Sequence, residues 1–228
     1  MGAKEGTNPK ILELVSSIEN KPSCENYERM VSGMMYDPLD PIFNQDRHRA
    51  RCLARDFNEI DHRQNTLQEV GKKKEEILQH LLDKFGEQSF IEAPLLVDYG
   101  CNVIFNSKSF ANFNLTILDV GLVTIGNCVQ LGPNVSIYSA AQNTSILSRM
   151  KCEEYGLPAT IEDDCWIGGG TIILAGVTIG SGTIIGAGFI VTKSLPPHSV
   201  AVGNLARVTK KVRTLEKEMV ISNKCIKE

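Results

Sequence analysis

The side chains able to do proton, thiol or metal chemistry are few in this chain and widely spread. Four histidines stand at positions 48, 62, 80 and 198, and seven cysteines at 24, 52, 101, 128, 152, 165 and 225. No CxxC pair occurs, and the histidines make no metal-ligand spacing with the cysteines. The cysteines read as reduced thiols of an intracellular protein. Cys152 lies in a non-repetitive stretch, where a catalytic thiol is the alternative to a neutral surface cysteine. His48 stands beside Arg47 in a helical segment and reads as an exposed helix residue. Gln142, in Tyr138-Ser139-Ala140-Ala141-Gln142-Asn143, can donate and accept hydrogen bonds but cannot take a proton at neutral pH. Taken singly, Lys193 and Arg207 are ordinary surface cations, Asn112 is a turn residue and Trp166 is a packing residue.

What would position such groups is visible as a repeat. Aliphatic residues recur every six positions at Ile125, Leu131 and Ile137, then at Ile161, Ile167, Ile173, Ile179, Ile185 and Val191. From Ile137 to Ile161 is 24 residues, so the phase survives the stretch between them. Glycine follows the aliphatic residue at 126, 132, 168, 180 and 186. A helix repeats every 3.6 residues and a strand every two, so neither fits. A coil of short strands joined by tight corners does fit, with the aliphatic residue inward. Stacked coils then share one narrow core. The fold class is mainly β, a parallel β-helix with an N-terminal α-helical subdomain.

The 228 residues suit one main domain with an accessory piece. A net charge of −3 gives no electrostatic case for nucleic acid. No apolar run approaches a membrane span, and the N-terminus lacks a signal-peptide core. The expectations are no nucleic acid, no membrane, no metal and a cytoplasmic location.

Residues 1–24 form a polar extension with an apolar patch at Ile11 to Val15, expected to be flexible or to order only on docking. Residues 25–88 read as a helical module of three helices. The first carries Tyr27, Met30, Val31 and Met34, the second runs from Phe43 to about Glu59, and the third ends near Gly86. Lys72-Lys73-Lys74 reads as a solvated helix face. Residues 89–208 read as the β-helix, with residues 139–158 leaving it as a loop. Its early coils, Phe105 to Leu122, keep the period loosely. Residues 209–228 form a charged tail, expected to be a short exposed helix over Lys210 to Glu218.

Several of these pieces together resemble the maltose and galactoside O-acetyltransferases of the left-handed β-helix class, over about residues 27–213. Glu28-Arg29-Met30-Val31-Ser32-Gly33 with Tyr36-Asp37 resembles the start of the family's helical module. Phe110-Ala111-Asn112-Phe113-Asn114 and Thr116-Ile117-Leu118-Asp119 resemble its acceptor-site strand. Trp166-Ile167-Gly168-Gly169-Gly170 and Gly186-Ala187-Gly188 resemble its donor groove. Val191-Thr192-Lys193, Val202-Gly203-Asn204 and Ala206-Arg207-Val208 resemble the end of its coenzyme site.

The resemblance implies a left-handed coil, a homotrimer, and acetyl-CoA lying in the cleft between neighbours. It implies that Trp166 belongs to the donor groove and that Gly169 and Ala187 offer backbone groups to the pantetheine arm. Thr192, Lys193, Arg207 and Lys210 would face the nucleotide end. Asn112 would hold the acceptor hydroxyl or orient the base, and Asp98 and Arg47 would contact a small carbohydrate-like acceptor. The family's general base is a histidine, and Gln142 stands at its place. Asn143 replaces the proline that follows it, and Phe105-Asn106 replaces an Ile-Gly step.

The implied activity is acetyl-CoA-dependent O-acetylation, impaired or altered by the lost base. Losing a general base costs about 10²–10⁴-fold while binding persists. Three readings stay open: a slow or altered enzyme with another base such as His48, a coenzyme-A-binding pseudoenzyme or regulatory trimer subunit, and a scaffold without ligand.

Overall fold

A computed structural model describes residues 2–214 and residue 219. The six-residue ladder builds a β-solenoid of three parallel sheets. The first stacks the strands Lys84–Phe85, Val103–Phe105, Val123–Ile125, Ala159–Ile161 and Thr178–Ile179. The second runs from Phe90–Ile91 through Phe110–Ala111, Gln130–Leu131, Trp166–Ile167 and Ile184–Ile185 to Ser199–Val202. The third holds Leu95–Val97, Leu115–Leu118, Ser136–Tyr138, Ile172–Ile173 and Ile190–Val191.

The register is set by the inward aliphatic residues. Ile161 pairs with Ile125 and Ile179, Ile167 with Leu131 and Ile185, and Ile173 with Ile137 and Val191. All nine are buried, each contributing about 1.5–3 kcal/mol of apolar burial. Phase therefore holds across residues 139–158, as the spacing required. The early coils are longer by two residues. Phe105 pairs with Phe85 and Ile125, twenty positions away in each direction, whereas Ile161 and Ile179 are eighteen apart. The extra residues sit at the corner between the third and first sheets, at 98–102 and 119–122. Residues 139–158 leave the solenoid at that same corner.

Those residues are not a plain loop. Ala140–Gln142 and Glu154–Gly156 pair antiparallel as a hairpin. Between them a five-residue helix, Ile146–Met150, exposes Ile146, Leu147 and Met150.

The helical module docks on the solenoid. Helices α1 (Pro9–Ser16), α2 (Glu25–Val31), α3 (Pro41–Asn58) and α4 (Leu67–Leu81) precede the coils. The α3 start is fixed by Asp40, whose side chain accepts from the Ile42 amide, with Pro41 in the first turn. The α4 start is a reciprocal capping box of Thr66 and Glu69. Ala50, Ala54 and Phe57 of α3, and Leu78 and Leu81 of α4, share one core with Ile91, Leu95, Val103 and Phe105. They close the apolar end that the first coil would otherwise expose.

Four expectations are corrected here. The third helix ends at Leu81 rather than near Gly86, and Lys84–Phe85 is already a solenoid strand, so the helical module stops short of residue 88. Residues 2–24 are not flexible but ordered by docking: Val15 and Ile18 are buried with Tyr27, Met30, Val31, Tyr36, Phe43, Tyr99 and Val120. Lys74 is not solvated. It is 4% exposed, 3.3 Å from Glu92, and lies over the rings of Phe57 and Phe90. Lys210 and Lys211 are in a strand, Arg207–Lys211, which folds back antiparallel on Ser199–Val202. That last solenoid strand has unpaired backbone groups on its outer edge, which the returning chain satisfies. The rest of the expected tail helix, apart from residues 212–214, lies outside the described structure.

Candidate active site

The expected site residues gather at two corners of the solenoid and at its final strand. At the corner between the second and third sheets, Asn112, Gly169 and Ala187 stand in one stack, with the coil of Pro133 between Asn112 and Gly169. The corner is stitched along its axis by backbone bonds: Asn134 N to Phe113 O, Gly170 N to Pro133 O, and Gly188 N to Gly169 O, each 2.8 Å. The turn needs a left-handed residue at one position, met by Asn114, Asn134, Gly170 and Gly188. A side chain on Gly169 would put its Cβ 2.9 Å from Pro133 O, so close backbone stacking demands the glycine. Asn112 turns its Oδ1 back to accept from the Phe113 amide at 2.8 Å, a turn role independent of any ligand. Trp166 projects outward beside this corner and is 55% exposed. A large exposed aromatic next to a smooth glycine backbone suits a flexible, partly apolar ligand arm.

Thr192 and Lys193 lie elsewhere, after Ile190–Val191 at the corner between the third and first sheets. Lys193 is exposed, as are Arg207 and Lys210 on the last strand. Exposed cations of this kind suit phosphate groups.

The same corner, lower in the solenoid, carries the remaining groups. Asp98 begins the corner after Leu95–Val97. Its backbone amide and that of Tyr99 both donate to Asp119 Oδ1 at 3.0 Å. Asp119 is fully buried, and burial pushes its carboxyl up to about 6 despite those bonds. Asn102 ties the same corner by donating from Nδ2 to Asp119 O at 2.7 Å, and Tyr27 Oη donates to Asn102 Oδ1 at 2.9 Å. The helical module thereby grips the corner it docks on.

Arg47 of α3 reaches this corner. Its guanidinium donates to Tyr99 Oη, Pro38 O and Asn44 Oδ1, each at 2.7 Å. Tyr36, Phe43 and Tyr99 pack edge to face as the apolar wall beneath it. Burial raises the Asp98 carboxyl, the nearby Glu154 raises it further, and Arg47 and Arg51 pull it back. Asp98 and Arg47 are thus brought to the same corner. His48, one position on, is exposed, and its Nε2 lies 3.7 Å from Cys52 Sγ on the same helix.

Gln142 is exposed at the end of the hairpin's first strand, directly opposite Glu154. Glu154 is also bridged to Tyr36: Tyr36 N donates to Glu154 O at 3.0 Å, and Glu154 N to Tyr36 O at 3.3 Å. Tyr36 Oη donates to Glu154 Oε1 at 2.5 Å. Sequence reasoning missed Glu154 and Asp119 as site groups, and Tyr36 as the phenol that holds one of them. The motif Tyr36-Asp37 was the one available signal, and it did not reveal the partner 118 residues away. All six cysteines among the described residues are free, and Cys152 is exposed. No three His, Cys, Asp or Glu side chains among the described residues group as metal ligands would.

Residues 29–86 match the maltose acetyltransferase hexapeptide capping motif, and residues 158–192 match the bacterial transferase hexapeptide repeats. A galactoside O-acetyltransferase of Lactococcus lactis is 34% identical over 192 residues, 84% of this chain and 90% of its own length. The crystal structure of a maltose O-acetyltransferase from Clostridium difficile 630 shares 41% identity at a TM-score of 0.78, covering 84% of this chain and 99% of that one. A galactoside acetyltransferase solved in complex with coenzyme A shares 34% identity at a TM-score of 0.77, covering 86% and 94%. Solenoid, capping helices and glycine corner are those of a hexapeptide-repeat acyltransferase. Within that class, the chain belongs to the maltose and galactoside O-acetyltransferase family.

Proposed function

We propose that the protein moves an acetyl group from acetyl-CoA to a hydroxyl of a sugar or other small acceptor, at a rate altered by Gln142. The observation that carries this is the corner stack of Asn112, Gly169 and Ala187 beside exposed Trp166. Its smooth backbone suits the pantetheine arm, whose amides would pair with backbone groups of Gly169 and Ala187. Thr192, Lys193, Arg207 and Lys210 would meet the nucleotide end. Asp98 and Arg47 would orient the acceptor, and Asn112 would hold its hydroxyl.

The corner of Asn112, Gly169 and Ala187 and the corner of Asp98 lie on opposite edges of the third sheet. A homotrimer with its cleft between neighbours would join one subunit's donor corner to the next subunit's acceptor corner. Exposed Phe90, Phe110 and Trp166 along the second sheet, and Ile146, Leu147 and Met150 on the hairpin helix, support such association. A cytoplasmic location is part of this reading; no helix among the described residues is long and apolar enough to cross a membrane.

Gln142 favours a second reading, a coenzyme-A-binding subunit without turnover, because an amide takes no proton. Light scattering tests the trimer, and a monomer would sink the cleft. Calorimetric titration with coenzyme A tests the donor site. Thiol release from acetyl-CoA over a panel of sugars separates enzyme from silent binder.

A further inference from the structure

We propose that the Glu154 carboxylate takes the place of the absent histidine and accepts the proton of the acceptor hydroxyl. This rests on the transferase reading above and names the group that lets the reaction run.

The argument begins with register. Gln142 and Glu154 are directly opposed across an antiparallel pair, so their side chains leave the same face with Cβ atoms about 5 Å apart. A base at position 142 and a carboxylate at 154 therefore address the same space. Glu154 is also well held. Its backbone is paired on one side with Gln142 and on the other with Tyr36. Tyr36 Oη occupies Oε1, fixing the carboxyl plane and leaving Oε2 for a proton.

Glu154 acts electrostatically on Asp98 of the solenoid corner and on the phenols of Tyr36 and Tyr99, and Arg47 of α3 acts on the same three groups. Glu154 is one of the groups that raise the Asp98 carboxyl, which places the two carboxylates close together at this corner. Gln142, exposed and neutral, can hold the acceptor hydroxyl by accepting from it or donating to it.

In the reaction the hydroxyl proton passes to Glu154 Oε2 as the hydroxyl oxygen bonds to the thioester carbonyl carbon. Collapse of the tetrahedral adduct breaks the carbon–sulfur bond. The proton on Glu154 then passes to the departing thiolate, giving the acetyl ester and free coenzyme A. A carboxylate is a weaker base than imidazole, so turnover is slower than with histidine, and its acidic limb lies lower in pH.

The test compares the native protein with Glu154→Gln, Glu154→Asp, Gln142→His and the double change Glu154→Gln/Gln142→His. Thiol release from acetyl-CoA is measured over a panel of mono- and disaccharides from pH 4 to 9. Calorimetric titration with coenzyme A and thermal melting accompany each. The expected result is native turnover with an acidic limb. Glu154→Gln should lower kcat about 100-fold, abolish that limb, and leave coenzyme A affinity and KM for acetyl-CoA unchanged. Glu154→Asp should keep the limb at reduced kcat, and the double change should regain turnover with a limb at higher pH. Native kcat and an intact limb in Glu154→Gln would overturn the assignment. So would a native protein that binds coenzyme A but turns over with no acceptor, although donor binding would then stand. Failure to bind coenzyme A at all would overturn the transferase reading itself.

Discussion

Asp119 holds Asp98 in place through the backbone rather than the side chain. Its buried Oδ1 accepts the Asp98 and Tyr99 amides, both at 3.0 Å, and Oδ2 accepts the Asn102 amide at 3.4 Å. One carboxylate therefore shapes the corner that presents both Asp98 and the Tyr99 ring on which Arg47 rests. The neutral and charged forms of Asp119 should stabilise the fold differently.

The sign follows from burial. The carboxyl is raised from 3.8 to about 6, so the fold binds its proton more tightly than the unfolded chain does. That stabilisation is complete below about pH 3.8 and is lost as pH rises through about 6, a swing of about 3 kcal/mol. Asp119→Asn removes the titration. Urea unfolding of both proteins at pH 4 and pH 7 should show the native protein losing ground relative to the variant at pH 7. A difference that stays flat with pH would contradict this.

Lys74 should matter through packing as much as charge. It is buried between the Phe57 and Phe90 rings, with Glu92 as its ion-pair partner. Lys74→Ala should cost about 2–3 kcal/mol, by a lost stem and an emptied space. Lys74→Met, which keeps the stem, should recover most of it, since Glu92 is half-buried and can turn to water. Denaturant midpoints decide the order, and equal losses would point to charge alone.

Gly168 is fixed by the coil above it. A Cβ there would lie 2.5 Å from Ala187 N and 2.6 Å from Gly186 C, both backbone atoms. Gly168→Ala should cost about 2–3 kcal/mol and weaken coenzyme A binding by displacing Ala187. Unfolding and calorimetry on one preparation check both effects, and an undisturbed fold would show that the coils have more slack than the contacts indicate.

Lys193 and Arg207 are exposed and should act mainly through charge. Lys193→Ala and Arg207→Ala should each weaken coenzyme A about fivefold, the worth of roughly 1 kcal/mol at a surface. Both losses should shrink at 0.5 M salt, where exposed charges are screened. Unchanged affinity at low salt would remove these two cations from the nucleotide end.

The sequence determined the solenoid almost by itself. Ile125, Ile161 and Ile179 line up in the first sheet as their spacing requires, because an inward aliphatic residue every sixth position leaves only one phase that buries all of them. It also carried the glycine corner, since the need for close backbone approach is written locally at 168–170 and 186–188. The early coils were harder to see because two extra residues in each move the ladder from eighteen to twenty, though Phe85, Phe105 and Ile125 still pair. Lys74 read as solvated because nothing in a run of three lysines says which one faces the rings of Phe57 and Phe90. The cluster of Asp98, Arg47, Tyr36, Tyr99 and Glu154 was decided only by tertiary structure. Arg47 meets Tyr99 across 52 residues and Tyr36 meets Glu154 across 118, contacts with no local period because they exist only once the helical module has docked. Only the family resemblance singles out Gln142, as standing at the place of a histidine; that a carboxylate sits opposite it follows from the hairpin register, which depends on residues 139–158 leaving the coil and returning paired.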